Sequence, residues 1–185
     1  GSEEKYCDAG NLVYVAYRAA LGEMGIPCRG IRIRIESDIP DTRGLGSSAA
    51  MYVAGALGAS AIHGVPLSRE TLLAITNALE GHPDNLAPAI YGGFTVALTH
   101  EGEPYAVRCP VAEGLKLCAF VPDFVTSTHD AREALPKAVS HRDASYTVAH
   151  ACALMNALRT GDDEGIRRAV SDKLHEPYRT KLIPG

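Results

Sequence analysis

Pro40-Asp41-Thr42-Arg43-Gly44-Leu45-Gly46-Ser47-Ser48-Ala49-Ala50 is the stretch on which the fold turns. Just before it, Ile31, Ile33 and Ile35 alternate with Arg32, Arg34 and Glu36, the period-two pattern of a strand with one wet face. Just after it, Ser48 to about His63 is apolar or small all round, which suits a helix buried against close neighbours. A glycine-rich loop between a strand and a helix brings backbone N–H groups to a helix N-terminus. There the unpaired amides and the positive end of the helix dipole favour a phosphate, and glycine lets the backbone come close. Ser47 and Ser48 add hydroxyls for the phosphate or its Mg²⁺.

Rival readings of the loop fail on specific residues. A Walker loop needs a lysine, and none stands between positions 40 and 50. Gly44, Gly46 and Ala49 match the dinucleotide fingerprint GxGxxA literally, but that fingerprint wants an acid about 20 residues onward at the end of a second strand. Glu70 is the nearby acid, and it falls in the first turn of a helix with no strand before it. A tight turn that binds nothing has no need of two glycines and two serines.

Working outward, Asn11 to about Gly22 runs at helical density and is punctuated by Gly25 and Pro27. Ser68 can cap a helix whose Leu72, Ile75 and Leu79 form one stripe, ending near Gly81-His82-Pro83. The cluster Glu80-Gly81-His82-Pro83-Asp84-Asn85-Leu86-Ala87-Pro88 puts a carboxylate at a helix end beside a polar turn, an arrangement able to bind a cation and a polar substrate. The same residues also read as Asp84 capping a short helix, with His82 a plain turn residue that has neither a zinc pair nor an evident acid partner. Phe94, Val96 and Leu98, then Tyr105, Val107 and Cys109 beyond Glu101-Gly102, predict a β-hairpin. Pro110 to Gly114 is the expected boundary, dividing a domain over 3–110 from one over 111–185. A buried strand over Leu115–Val121 follows, then helices near His129–Leu135, Ser140–Arg159 and Asp163–Leu174.

The bulk composition narrows the function classes. With 185 residues, 46% of them hydrophobic, the chain can bury one sizeable core or two small ones. A net charge of −4 with no basic block excludes a phosphate-neutralising surface, so no nucleic-acid partner is expected. Five scattered cysteines without CxxC spacing predict neither a disulfide framework nor zinc, only thiols in a reducing cytosol. No apolar run reaches 18 residues and no charged-then-apolar leader opens the chain, so the expectation is a cytoplasmic protein with no membrane partner.

Pro-x-x-x-Gly-Leu-Gly-Ser-Ser-Ala resembles the phosphate loop of the GHMP kinases, the family of galacto-, homoserine, mevalonate and phosphomevalonate kinases. The resemblance implies an α+β two-domain GHMP-kinase fold, with a ribosomal protein S5 domain 2-like N-terminal domain and a ferredoxin-like α+β C-terminal domain. By that resemblance the fold is expected here as an incomplete fragment, because the family's N-terminal strands and closing glycine-rich motif are not matched in this sequence. It also implies ATP on Pro40, Arg43, Gly44, Leu45, Gly46, Ser47, Ser48 and Ala49, with Mg²⁺ held by Ser48 and Glu80. Asn11, in Asn11-Leu12-Val13-Tyr14, resembles the start of the helix beside the adenine pocket, and reads equally well as a helix N-cap.

Three further matches resemble the branch of the family that acts on L-homoserine: Glu80 to Pro88 with Tyr91-Gly92-Gly93, then Pro122-Asp123-Phe124, then Thr128-x-x-x-Arg132 with Leu135-Pro136. By that resemblance Asp84 and Asn85 hold the substrate's amino and hydroxyl groups. Arg132 and Arg179, the last within His175-Glu176-Pro177-Tyr178-Arg179, hold its carboxylate, for which the guanidinium fork is suited, and Thr128 also binds the substrate. Asp84, Asn85 and Arg132 are the residues expected nearest the chemistry. An unpaired edge on the strand Ile31–Ile35 invites self-association, so a homodimer is expected.

Overall fold

The computed structural model describes residues 7–40, 43–121 and 133–183. It separates into two compact units, Gly1–Asp41 with Leu45–Arg108, and Thr42–Gly44 with Cys109–Gly185.

In the first unit, helix α1 (Leu12–Glu23) starts at Asn11, whose side-chain oxygen accepts the N–H groups of Val13 at 3.0 Å and Tyr14 at 3.3 Å. Its inner face is Ala16, Tyr17, Ala20 and Leu21. Helix α2 (Ser47–His63) buries Ala49, Val53, Gly55, Ala56 and Ala59. The small residues have a purpose, because a Cβ on Gly55 would lie 2.2 Å from the carbonyl oxygen of Val13. The two helices therefore cross with backbone against backbone, a distance that only glycine permits.

Helix α3 (Arg69–Glu80) is capped by Ser68, which accepts the Thr71 N–H at 3.0 Å, and it closes on Gly81 at φ 85°. Leu72 and Leu73 enter the core, while the fully buried Thr76 donates its hydroxyl to the Leu72 carbonyl at 2.7 Å and so leaves no orphan. The short helix α4 (Leu86–Tyr91) adds Leu86 and Ala87. Strands β1 (Phe94–His100) and β2 (Glu103–Cys109) form the expected hairpin. Its two loop residues, Glu101 at φ 52° and Gly102 at φ 89°, are both left-handed, as a turn matched to strand twist requires.

Two expected strands are absent among the described residues. Residues 31–34 keep the alternation in burial, with Ile31 and Ile33 half-buried and Arg32 and Arg34 exposed, but Ile35 is exposed and breaks it. Ile31 and Ile33 line a cavity of about 210 Å³ with Val13, Tyr17, Gly55 and Ile62. The segment has a packed face but no neighbouring strand, and without a ladder extended backbone is not a strand. Residues 115–121 likewise lack a partner, and Leu117 and Phe120 are exposed rather than buried.

In the second unit, helix α5 (His141–Thr160) begins at Ser140, which accepts the Asp143 N–H at 3.0 Å. Helix α6 (Asp163–Ala169) begins at Asp162, which accepts the Gly165 N–H at 2.9 Å. It stops well short of the expected Leu174, because Asp172 draws the following amides into a turn of its own. That turn opens the single-turn helix α7 (Glu176–Arg179), followed by a 3₁₀ turn at Thr180–Leu182. The helix expected near His129–Leu135 lies mostly outside the described residues. None of the five cysteines is in a disulfide, and no helix among the described residues is long and apolar enough to cross a membrane.

Candidate functional site

The N-terminus of α2 meets the C-terminus of α3. Gly46 is the residue before α2, left-handed at φ 75° and ψ 30°, and as the N-cap it has no side chain with which to cap the helix it opens. From the second residue of the helix, the Ser48 hydroxyl donates to Oε1 of Glu80, the last residue of α3, at 2.6 Å. Glu80 is largely enclosed, its side chain 11% exposed, so its charge acts in a medium that screens poorly. Burial and the Glu80 carboxylate together push the phenol of Tyr52, one turn beyond Ser48, above its ordinary value.

After Gly81 the chain doubles back. His82 stands between two acids, with Nδ1 2.7 Å from Oδ1 of Asp84 and Nε2 4.0 Å from Oε1 of Glu80. Asp84 Oδ1 also accepts the backbone N–H of Asn85 at 2.9 Å. The Asn85 side chain in turn covers Gly46, where a Cβ would stand 3.2 Å from Asn85 Oδ1. A side chain at position 46 would thus face both a left-handed backbone and Asn85.

Gly46, Ser48, Glu80, His82, Asp84 and Asn85 are therefore linked contact by contact into one cluster. Chemically it joins a helix N-terminus, which favours an anion, to a hydroxyl and a carboxylate, which suit a hard cation. Ser48 and Glu80 are the oxygen donors that fit Mg²⁺. Among the described residues no cluster of three or more His, Cys, Asp or Glu side chains could hold a metal ion.

The other expected residues are distributed as follows. Arg43, Gly44 and Leu45 precede the helix, with Gly44 left-handed at φ 69° and Leu45 45% exposed; Pro40 is exposed, while Ala49 is fully buried in the core. Asn11 caps α1 with its side chain. Arg179 ends α7 in the second unit. Thr128 and Arg132 lie outside the described residues.

Two contacts of the cluster were missed from sequence. Tyr52 is one helical turn after Ser48 and so shares its face, a spacing signal that was available. His82 does have acid partners, contrary to expectation, and they are its own neighbours two positions to either side.

Residues 11–93 match the family model for the GHMP kinases N terminal domain. A homoserine kinase of Clostridium botulinum (strain ATCC 19397 / Type A) is 42% identical over 183 residues, covering 99% of this chain and 62% of its own length. One of Clostridium beijerinckii is 39% identical over 186 residues, covering 100% and 62%. The crystal structure of homoserine kinase from Cytophaga hutchinsonii superposes with a TM-score of 0.82 at 30% identity, over 94% of this chain and 56% of that one. The chain spans about three fifths of the length of the curated relatives it matches, by the 62% covered.

Proposed function

We propose that this chain belongs to the GHMP kinases, whose N-terminal-domain model residues 11–93 match, and that it is a homoserine kinase, transferring the γ-phosphate of ATP to the hydroxyl of L-homoserine. The observation that carries the reading is the 2.6 Å bond from Ser48 to Glu80, which ties the glycine loop to the cluster at Glu80–Asn85. In it, the loop from Pro40 to Ala49 receives the triphosphate, with the amides at the start of α2 directed at the phosphates. Ser48 and Glu80 would hold Mg²⁺, which neutralises charge on the phosphates.

Asp84 and Asn85 hold the amino and hydroxyl groups of homoserine, Arg132 and Arg179 hold its carboxylate, and Thr128 also binds the substrate. The substrate oxygen forms a bond to the γ-phosphorus as the bridging bond to ADP breaks, and the hydroxyl proton is released. Catalysis of this kind is positioning and charge neutralisation, so no strong general base is assigned. His82 fits as the group that stands between Glu80 and Asp84 and orients Asp84 through its Nδ1. The units correspond in this reading to the N- and C-terminal domains of the family, and the enzyme works in the cytoplasm.

The test is ADP formation with Mg-ATP and homoserine, with mevalonate and galactose as controls. Turnover with homoserine alone is expected. Glu80→Gln should lower kcat by about 100-fold, the scale of a lost charge-stabilising group. Asp84→Asn should raise the KM for homoserine and keep kcat. Turnover of mevalonate or galactose instead of homoserine, or Mg-ATP binding in calorimetry with no ADP released for any alcohol, would overturn the assignment.

A further inference from the structure

The second unit contains a polar assembly that the cluster around Ser48 does not use. Asp172 Oδ1 accepts the N–H of Leu174 at 2.5 Å, and its Oδ2 accepts those of His175 at 2.9 Å and Glu176 at 2.8 Å. The carboxylate of Glu176 returns the contact, accepting the N–H of Asp172 at 3.1 Å. This is a reciprocal cap of the capping-box kind, closed around one turn of chain.

That turn opens α7, only four residues long. A helix so short cannot nucleate itself, because it fixes several residues for a single hydrogen bond, so its geometry must be imposed from outside. The imposed order passes directly along the backbone. Asp172 holds the amide of His175, and the carbonyl of His175 accepts the amide of Arg179 at 2.9 Å.

The turn is also anchored to α5. Thr147 Oγ1 accepts the Lys173 N–H at 3.1 Å, and the Lys173 ammonium lies 4.3 Å from the centre of the Tyr146 ring and 3.8 Å from Asp143 Oδ1. Tyr146 in turn stacks on His150, with ring centres 3.7 Å apart. A bidentate arginine is only as accurate as the backbone that presents it.

We propose that Asp172 is the positioning residue for Arg179, fixing through the amides of residues 174–176 the turn on which that guanidinium is presented to a substrate carboxylate. The proposal rests on the reading of Arg179 as a carboxylate-binding arginine, and it assigns Asp172 no contact with substrate.

The experiment compares Arg179→Ala, Asp172→Ala and Asp172→Asn in the homoserine-dependent assay, with amide hydrogen exchange at Leu174, His175 and Glu176. Asp172→Ala should raise the KM for homoserine about tenfold, the scale of a lost cap, with kcat and the KM for ATP unchanged. Asp172→Asn keeps one acceptor oxygen and should give a smaller rise, about threefold, with exchange at the three amides intermediate between wild type and alanine. If Arg179→Ala leaves the KM for homoserine unmoved, the reading of Arg179 falls and the proposal with it. If Arg179→Ala raises that KM and neither Asp172 variant does, the proposal alone is overturned. It is overturned also if the Asp172 variants disturb ATP and homoserine equally, the mark of a merely structural role. Should Asp172→Ala not fold, the asparagine variant decides on the same two readouts.

Discussion

The two units hold their functional groups in place by different physics. In the first, twelve buried apolar residues from Ala16 to Ala87 lock α1, α2, α3 and α4 against one another, and the Ser48–Glu80 pair sits on that packed base. In the second, Ala157 and Ala169 are the buried apolar residues among those described, and α5 exposes Val148 and Met155 along its length. What gives the second unit its local geometry is side-chain capping, at Ser140, Asp162 and Asp172. Packing is strong and insensitive to pH. Capping is weak for each bond and directional, and at Asp172 it depends on the carboxylate's charge.

Truncating the apolar side chains should separate the units most sharply. Leu73→Ala, at a side chain 1% exposed, should cost about 3 kcal/mol. Val148→Ala, 62% exposed, should stay within about 0.5 kcal/mol. Urea unfolding followed by circular dichroism measures both, and equal losses would erase the contrast.

A pair of glycines in α2 sharpens it from the packed side. Gly55→Ala should destabilise by about 2 kcal/mol through overpacking against Val13, despite the better helix propensity of alanine. Gly58→Ala, with nothing within 4 Å of its Cβ position, should instead stabilise by up to about 1 kcal/mol. The sign difference is read from thermal midpoints.

From the capped side, Asp162→Ala should cost about 1 kcal/mol, more than removing Val148 from the same unit. Acid provides the mildest perturbation. Burial raises the pKa of Asp172, but the amides of Glu176, Leu174 and His175 together outweigh it and hold its carboxyl below the ordinary range. A carboxyl lowered in the folded state contributes stability above its unfolded pKa, and loses it as the pH falls through the folded value. Protection factors for hydrogen exchange across 174–179, which correct for slower intrinsic exchange in acid, should therefore fall on acidification before those in α1 or α3 do. Simultaneous loosening would mean that the turn is held by something other than Asp172.

The same division explains how much of the molecule was legible in its sequence. α1, α2, α3, α5 and the hairpin were readable because their determinants are local: caps at Asn11, Ser68 and Ser140, the stripe of Leu72, Ile75 and Leu79, and the Glu101-Gly102 turn. The strands expected at 31–35 and 115–121 were not, because alternation describes a face while a strand requires a partner that sequence periodicity does not supply. The end of α6 was misjudged for the opposite reason, since its determinant was nearby: Asp172 captures three amides that a longer helix would have used. In the cluster around Ser48, the Glu80–Asn85 segment stood out in sequence as polar chemistry. That His82 lies between Glu80 and Asp84, and that Tyr52 faces Glu80, depended on how the turn after Gly81 and the face of α2 are oriented.

Among the described helices, α1, α3, α5 and α6 begin on an N-cap residue whose side chain caps them, whereas the N-cap of α2 is Gly46, which has no side chain to offer. On the proposed function, a diffusible molecule joins the start of α2 and accepts from its amides. The stability of the helix that crosses α1 at Gly55 then becomes a function of nucleotide concentration: at a hundred times Kd, binding adds about 2.7 kcal/mol to whatever the chain provides itself. Resistance of this unit to heat or protease would report how well the cell is supplied with ATP.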